Sequence, residues 1–176
     1  MIVLRELKEE DAPFMLEWMH DAEIQKCFKR RMADLTLDDV LGFIRKSVPV
    51  GIVSSGMDLH FAIADQEDDQ YLGTVSLKNI DLENCNAEFA IAIRKAAQGK
   101  GVGYKATILI LKKAFNEIGL QRVYLNVFAN NVPAIKLYEK CGFIYEGEFR
   151  NHFLIDGNYV DLKWFGILND EFDETK

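Results

Sequence analysis

The chain has 176 residues, 49% of them hydrophobic and 28% charged, which suits one packed domain with a sizeable core and excludes a disordered chain or a disulfide-dense miniature fold. A formal net charge of -7 opposes non-specific attraction to nucleic acid or to an anionic membrane surface. Apolar runs such as Ile108 to Leu111 are too short to span a bilayer, and Glu6, Lys8, Glu9 and Glu10 stand where a secretory signal would be apolar, so a cytoplasmic protein is expected.

In chain order, Ile2 to Leu4 read as a first strand, and Pro13 opens a helix carrying Met15, Trp18 and Met19. Thr36 and Asp39 have capping-box spacing ahead of Val40, Phe43 and Ile44, and Pro49 and Gly51 are expected to stop that second helix. The period then changes to two. Leu59, Phe61 and Ile63 alternate with small or polar residues, and the turn at Asp65 to Asp69 leads into Tyr71 to Leu77, which predicts a hairpin; Ala87 to Ile93 follow as a third neighbouring strand.

After a glycine-rich segment at Gln98 to Gly103, Ala106, Ile110, Ala114 and Ile118 recur every four residues until Gly119, which predicts a long helix. Val123, Leu125 and Val127 then alternate as a strand, so a parallel crossover is expected. Asn130 and Asn131 precede a helix near Pro133 with Ala134, Leu137, Tyr138 and Cys141 on one face and Gly142 at its end. Phe143 to Phe149 and two runs flanking Asp156-Gly157-Asn158 predict closing strands, and the acidic residues 169–176 read as a frayed tail. Cys27, Cys85 and Cys141 are widely spaced, with no C-x-x-C and no nearby His pair; they read as reduced buried thiols, and no metal is expected.

The segment Gln98-Gly99-Lys100-Gly101-Val102-Gly103 sits between a strand and a helix. Missing side chains there let backbone amides approach a phosphate, and the helix dipole favours its charge. A turn that needs glycine only to turn has the same composition. The Gly-Lys-Ser/Thr ending of a P-loop and the full G-x-G-x-x-G of a dinucleotide fold are both absent.

The Q-x-x-G-x-G pattern at Gln98 to Gly103, followed by Asn-Asn-Val-Pro-Ala-Ile-Lys-Leu-Tyr-Glu-Lys-Cys-Gly-Phe at Asn130 to Phe143, resembles the GNAT acetyltransferases. The likeness is greatest to the branch of ribosomal-protein N-terminal, spermidine and amino-sugar acetyltransferases. It implies an α/β (α+β) GNAT fold over residues 1–168. That fold has a mixed, mostly antiparallel sheet of about seven strands, with strands 4 and 5 splayed and about four flanking helices.

The resemblance also implies acetyl-coenzyme A as cosubstrate. Ala92 and Ile93 would line the pantetheine arm, Gln98, Gly99, Lys100, Gly101, Val102, Gly103 and Lys105 would hold the pyrophosphate, and Asn126 and Asn131 would contact the cofactor. Asn131 also suits a helix N-cap. Tyr138 matches the tyrosine that protonates the departing thiolate, although its helical spacing equally suits a core aromatic. Glu88, on the presumed fourth strand, is the candidate general base for an amine that must lose a proton; a solvated or substrate-binding carboxylate is the alternative. In the family the loop after the first helix borders the acceptor site, so Trp18, His20 and Asp21 around the end of that helix would contact the substrate, and an ordinary amphipathic helix end explains them as well.

The expected function is direct transfer of acetyl to a primary amine in a ternary complex. A protein N-terminus or a small amine such as a polyamine is the expected acceptor, with a nucleotide-linked amino sugar as alternative. A non-catalytic acyl-CoA sensor or subunit is the competing class, and exposed sheet edges make a homodimer plausible.

Overall fold

A computed structural model describes residues 1–47 and 53–173. One seven-stranded sheet, in the order β1-β2-β3-β4-β5-β7-β6, organises the chain. Its strands are β1 (Ile2–Arg5), β2 (Leu59–Asp65), β3 (Tyr71–Asp81), β4 (Asn86–Ile93), β5 (Arg122–Phe128), β6 (Ile144–Ile155) and β7 (Asn158–Leu168). Every neighbouring pair is antiparallel except β4 and β5, whose parallel pairing follows from the helical crossover between them.

The helices divide between the two faces. On one side α1 (Ala12–His20), the single-turn α2 (Ala22–Gln25) and α3 (Leu37–Lys46) bury Met15, Trp18, Met19, Ile24, Val40 and Ile44 against Tyr71 and Ala92. On the other, α4 (Val102–Lys112) and α5 (Val132–Lys140) cover a larger core built on Phe61, Val75, Leu77, Phe89, Val123, Leu125 and Phe165. The period-two alternation of β5 reflects this burial: Val123, Leu125 and Val127 enter the larger core, while Tyr124 and Asn126 face the other way and are half-buried.

The helix starts follow from local chemistry. Thr36 Oγ1 accepts from the Asp39 amide at 3.2 Å and Asp39 Oδ2 accepts from the Thr36 amide at 2.8 Å, closing the capping box at α3. Asp21 Oδ1 accepts from the amides of Glu23 and Ile24, which starts α2, a turn that the periodicity of the sequence does not disclose. Pro49 and Gly51 lie outside the described residues.

Three expectations are corrected. The long central helix does not run unchanged to Ile118, because residues Lys113–Glu117 form a π-helical turn after α4. Residues 169–171 form a 3-10 turn, and Phe172 packs on Phe115 with ring centroids 5.4 Å apart, so the start of the acidic tail is docked. Of the three free thiols only Cys141 is buried; Cys27 is exposed and Cys85 lies between.

Candidate active site

The sheet opens in its middle. The parallel ladder between β4 and β5 ends at Glu88 opposite Tyr124, although β4 continues to Ile93 beside β3 and β5 continues to Phe128 beside β7. Residues 89–93 and 125–128 therefore diverge, leaving a slot between two strands with Ala92 and Ile93 along its β4 wall.

Gly73 sets the position of that wall. A Cβ added there would lie 2.3 Å from the Ala92 carbonyl oxygen, so only glycine lets β3 and β4 approach this closely. Arg94, just past the slot, donates to the Tyr71 carbonyl at 3.0 Å and pairs with Glu17 at 2.7 Å, tying the end of β4 to α1.

At the mouth of the slot the chain turns through Gln98 to Gly103 into α4. Gln98 Nε2 donates to the Ile93 carbonyl at 3.0 Å, bracing this turn against β4. Gly99 and Gly101 hold φ of +73° and +77°, a left-handed conformation that other residues adopt at a cost. Gly101 is the N-cap and α4 has no side-chain cap, so its first-turn amides keep no protein acceptor from a capping residue. An uncapped helix start reached through glycines fits a pyrophosphate. Gly103 faces Leu137 of α5, where an added Cβ would be 3.1 Å from Leu137 Cδ2; the side chains of Lys100 and Lys105 are exposed.

On α5, Asn131 Oδ1 accepts from the Ala134 amide at 3.3 Å as the N-cap. About two turns into the helix Tyr138 is 8% exposed, its ring edge-on to Phe89 at 5.9 Å and to Phe143 at 6.1 Å. Burial raises its phenol far above the ordinary tyrosine range, with Cys27 and Cys141 adding to the effect, so it stays protonated through neutral pH.

Glu88 emerges on the opposite face from its neighbour Phe89, the first β4 residue beyond the ladder. Its carboxylate accepts from Asn79 Nδ2 at 3.0 Å and from Asn126 Nδ2 at 3.1 Å. Asn126, expected at the cofactor, is thus joined to Glu88. From Asn126 a train of aromatic rings crosses the open part of this face. Trp164 stands opposite Asn126 in register, Phe149 is 5.6 Å from Trp164, His152 is 5.2 Å from Phe149, and Phe153 is 4.9 Å from His152. Asn79, Tyr124, Phe149, Phe153 and Trp164 were not found by sequence reading, since only the strand registers bring them to the face that carries Glu88.

The residues at the end of the first helix take mainly structural places. Trp18 is 5% exposed and donates from Nε1 to Tyr71 Oη at 3.0 Å, so it belongs to the helix-side core. His20 Nε2 lies 2.8 Å from the Leu35 carbonyl oxygen, and Asp21 caps α2, whose amides hold its carboxyl below the usual range. Among the described residues no group of three or more His, Cys, Asp or Glu could hold a metal, and no helix is long and apolar enough to cross a membrane.

A splayed parallel pair with an uncapped glycine-led helix at its mouth is the frame of an acyl-CoA-dependent transferase. The sequence pattern of the acetyltransferase (GNAT) domain matches residues 2–144. The spermidine N(1)-acetyltransferase of Vibrio cholerae is 32% identical over 120 residues, 68% of this chain and 69% of that one. The Escherichia coli K12 enzyme of the same name is 38% identical over 92 residues, 52% of this chain and 50% of its own length. The crystal structure of a Vibrio cholerae spermidine N-acetyltransferase with CoA and spermine superposes with a TM-score of 0.85 at 28% identity, covering 97% of this chain and 96% of that one. The chain belongs to the GNAT acetyltransferase family. It is an N-acetyltransferase whose cosubstrate is acetyl-CoA.

Proposed function

We propose that the chain transfers acetyl from acetyl-CoA to the primary amine of a small molecule by direct attack, with Tyr138 as general acid and Glu88 as the group that receives the amine and its proton. The observation that carries this reading is the placing of the two at one break in the sheet. Tyr138 packs on Phe89 from one side, while the adjacent Glu88 opens on the other.

Cosubstrate bound in the slot supplies a thioester carbonyl carbon. The first-turn amides of α4, reached through Gln98, Gly99, Lys100, Gly101, Val102 and Gly103, receive the pyrophosphate, with charge from Lys100 and Lys105. Backbone groups at Ala92 and Ile93 and the free amide of Asn131 line the arm. As the amine nitrogen bonds to the carbonyl carbon and the carbon–sulfur bond breaks, Tyr138 gives its proton to the leaving sulfur. Glu88 takes the proton released by nitrogen, directly or through water, and Asn79 and Asn126 hold its carboxylate in place.

Spermidine is the acceptor named for the Vibrio cholerae and Escherichia coli relatives, which makes a polyamine the reference acceptor here. A homodimer through the β6 edge belongs to the same reading, because Ile144, Tyr145, Phe149 and Leu154 are exposed along that strand; a monomer mass by light scattering would exclude it. The chemical roles are tested by steady-state thiol release in Tyr138→Phe and Glu88→Gln. Loss of kcat in both variants, with CoA affinity kept, is expected. Unchanged kcat in either variant removes that residue from the chemistry.

A further inference from the structure

Strand β3 breaks its own alternation next to Glu88. Its register with β4 passes from Lys78 opposite Glu88 to Asp81 opposite Asn86, so Asn79 and Ile80 together face Ala87 in a β-bulge. Val75 and Leu77 enter the larger core, and strict period two would send residue 79 after them. The bulge gives that place to Ile80, which is 1% exposed, and leaves Asn79 exposed with φ of +49°. Turned off the core in this way, Asn79 donates from Nδ2 to Glu88 Oε2 at 3.0 Å. Asn126 donates to Oε1 at 3.1 Å, so amides from β3 and β5 grip the carboxylate from both flanking strands where the β4–β5 ladder ends.

The segment ahead of β2 holds the bulge. β2 begins at Leu59 opposite Leu77, and residues 55–58 run beside the bulged part of β3. The Ile80 N–H donates to the Met57 carbonyl at 3.1 Å, the Gly56 N–H to the Ile80 carbonyl at 2.7 Å and the Leu82 N–H to Ser55 Oγ at 2.9 Å. At Asn79 itself the acceptor is a side chain, since Asp58 Oδ1 receives the Asn79 backbone N–H at 2.8 Å. Glycine takes a left-handed backbone at less steric cost than asparagine, so the turn alone does not call for the amide found there. That amide is used on Glu88.

Asp58, Asn79 and Glu88 thus make one continuous path from the segment ahead of β2 to the carboxylate that meets the amine. Direct attack needs nitrogen, thioester carbon and proton acceptor in one arrangement, and a group that turns away from it costs rate. We infer that Asp58 is a positioning residue for acetyl transfer: by closing the bulge at Asn79 it keeps the Asn79 amide on Glu88 and fixes the direction in which that carboxylate meets the amine. This rests on the proposed role of Glu88.

The test measures thiol release from acetyl-CoA with ethanolamine, benzylamine and spermidine. It uses the whole chain, the variants Asp58→Ala, Asp58→Asn, Asn79→Gly and Glu88→Gln, and Asp58→Ala combined with Glu88→Gln. Asp58→Ala should lower kcat/KM for the amine about tenfold, the worth of one hydrogen bond to a charged group, with KM for acetyl-CoA unchanged. Asp58→Asn keeps a carbonyl oxygen for the Asn79 N–H and should retain most of the activity. Asn79→Gly accepts the same φ without the amide and should match Asp58→Ala. Should Asp58→Ala fail to fold, Asp58→Ser, whose hydroxyl stops one bond short, takes its place. In the Glu88→Gln background Asp58→Ala should add no further loss, because it acts through that carboxylate.

Full kcat/KM in Asp58→Ala, an equal further loss in the Glu88→Gln background, or a parallel rise in KM for acetyl-CoA overturns the inference and leaves the role of Glu88 standing. Unchanged kcat in Glu88→Gln alone, or no amine-dependent release from any of the three amines, overturns both.

Discussion

At Tyr138, burial and chemistry pull in the same direction. The apolar environment of Phe89 and Phe143 that makes the ring a core residue also keeps its proton in place, which a general acid requires. Replacing Tyr138 by Phe removes only the hydroxyl, so CoA affinity by calorimetry should be nearly unchanged while kcat falls by ~10²-fold or more. A variant that loses CoA binding and kcat together would show a packing role alone. The helical spacing of Ala134, Leu137, Tyr138 and Cys141 made this residue legible as one on the inner face of a helix, and the motif around it suggested the proposed chemical role. Trp18 shows the opposite limit. It borders the acceptor side in sequence, but its indole is spent on Tyr71, and no local pattern reveals a bond between residues 53 positions apart. Asn79 was illegible for the same reason: its meaning depends on Glu88, which it meets across the β3–β4 pair.

Elements were more legible than sites, because a helix or a strand writes its period into consecutive residues. The hairpin of β2 and β3, the glycine-led start of α4 and the capping box of α3 follow from spacing that is local. The π-helical turn after α4 keeps apolar residues inward as a helix would, so the four-residue recurrence of Ala106, Ile110 and Ala114 does not distinguish the two. Divergence of β4 from β5 is likewise invisible to periodicity, since both strands alternate normally through the break. Its position depends on β4 staying with β3, and there Gly73 is decisive. Gly73→Ala should displace β4 at Ala92, costing about 1–3 kcal/mol in urea unfolding as overpacking does and weakening CoA binding. Full stability and affinity in that variant would show that the slot wall tolerates the shift.

Over the whole molecule, one sheet separates two cores, and the functional face is the part that α1, α2 and α3 leave open beyond β4. Ionisation of a buried group gives a test of the larger core as a unit. Burial pushes the Cys141 thiol up to about 11, with Thr107 partly opposing, whereas an unfolded thiol titrates near ~8.5. The folded state therefore binds the proton more tightly than the unfolded state. Its contribution to stability is complete below the unfolded value and disappears as pH rises through the folded one. Urea midpoints should fall between about pH 8.5 and about 11, and Cys141→Ala should flatten part of that slope. Equal slopes in the two proteins would place the sensitivity elsewhere.

The central claim, that this fold moves acetyl from acetyl-CoA to a primary amine on the Glu88 face, is tested most directly by following thiol release and product mass together across a panel of small amines. The account predicts release that depends on the amine, with one acetyl added to nitrogen for each thiol freed. Tight binding of acetyl-CoA with no amine-dependent release and no acetylated product would contradict it.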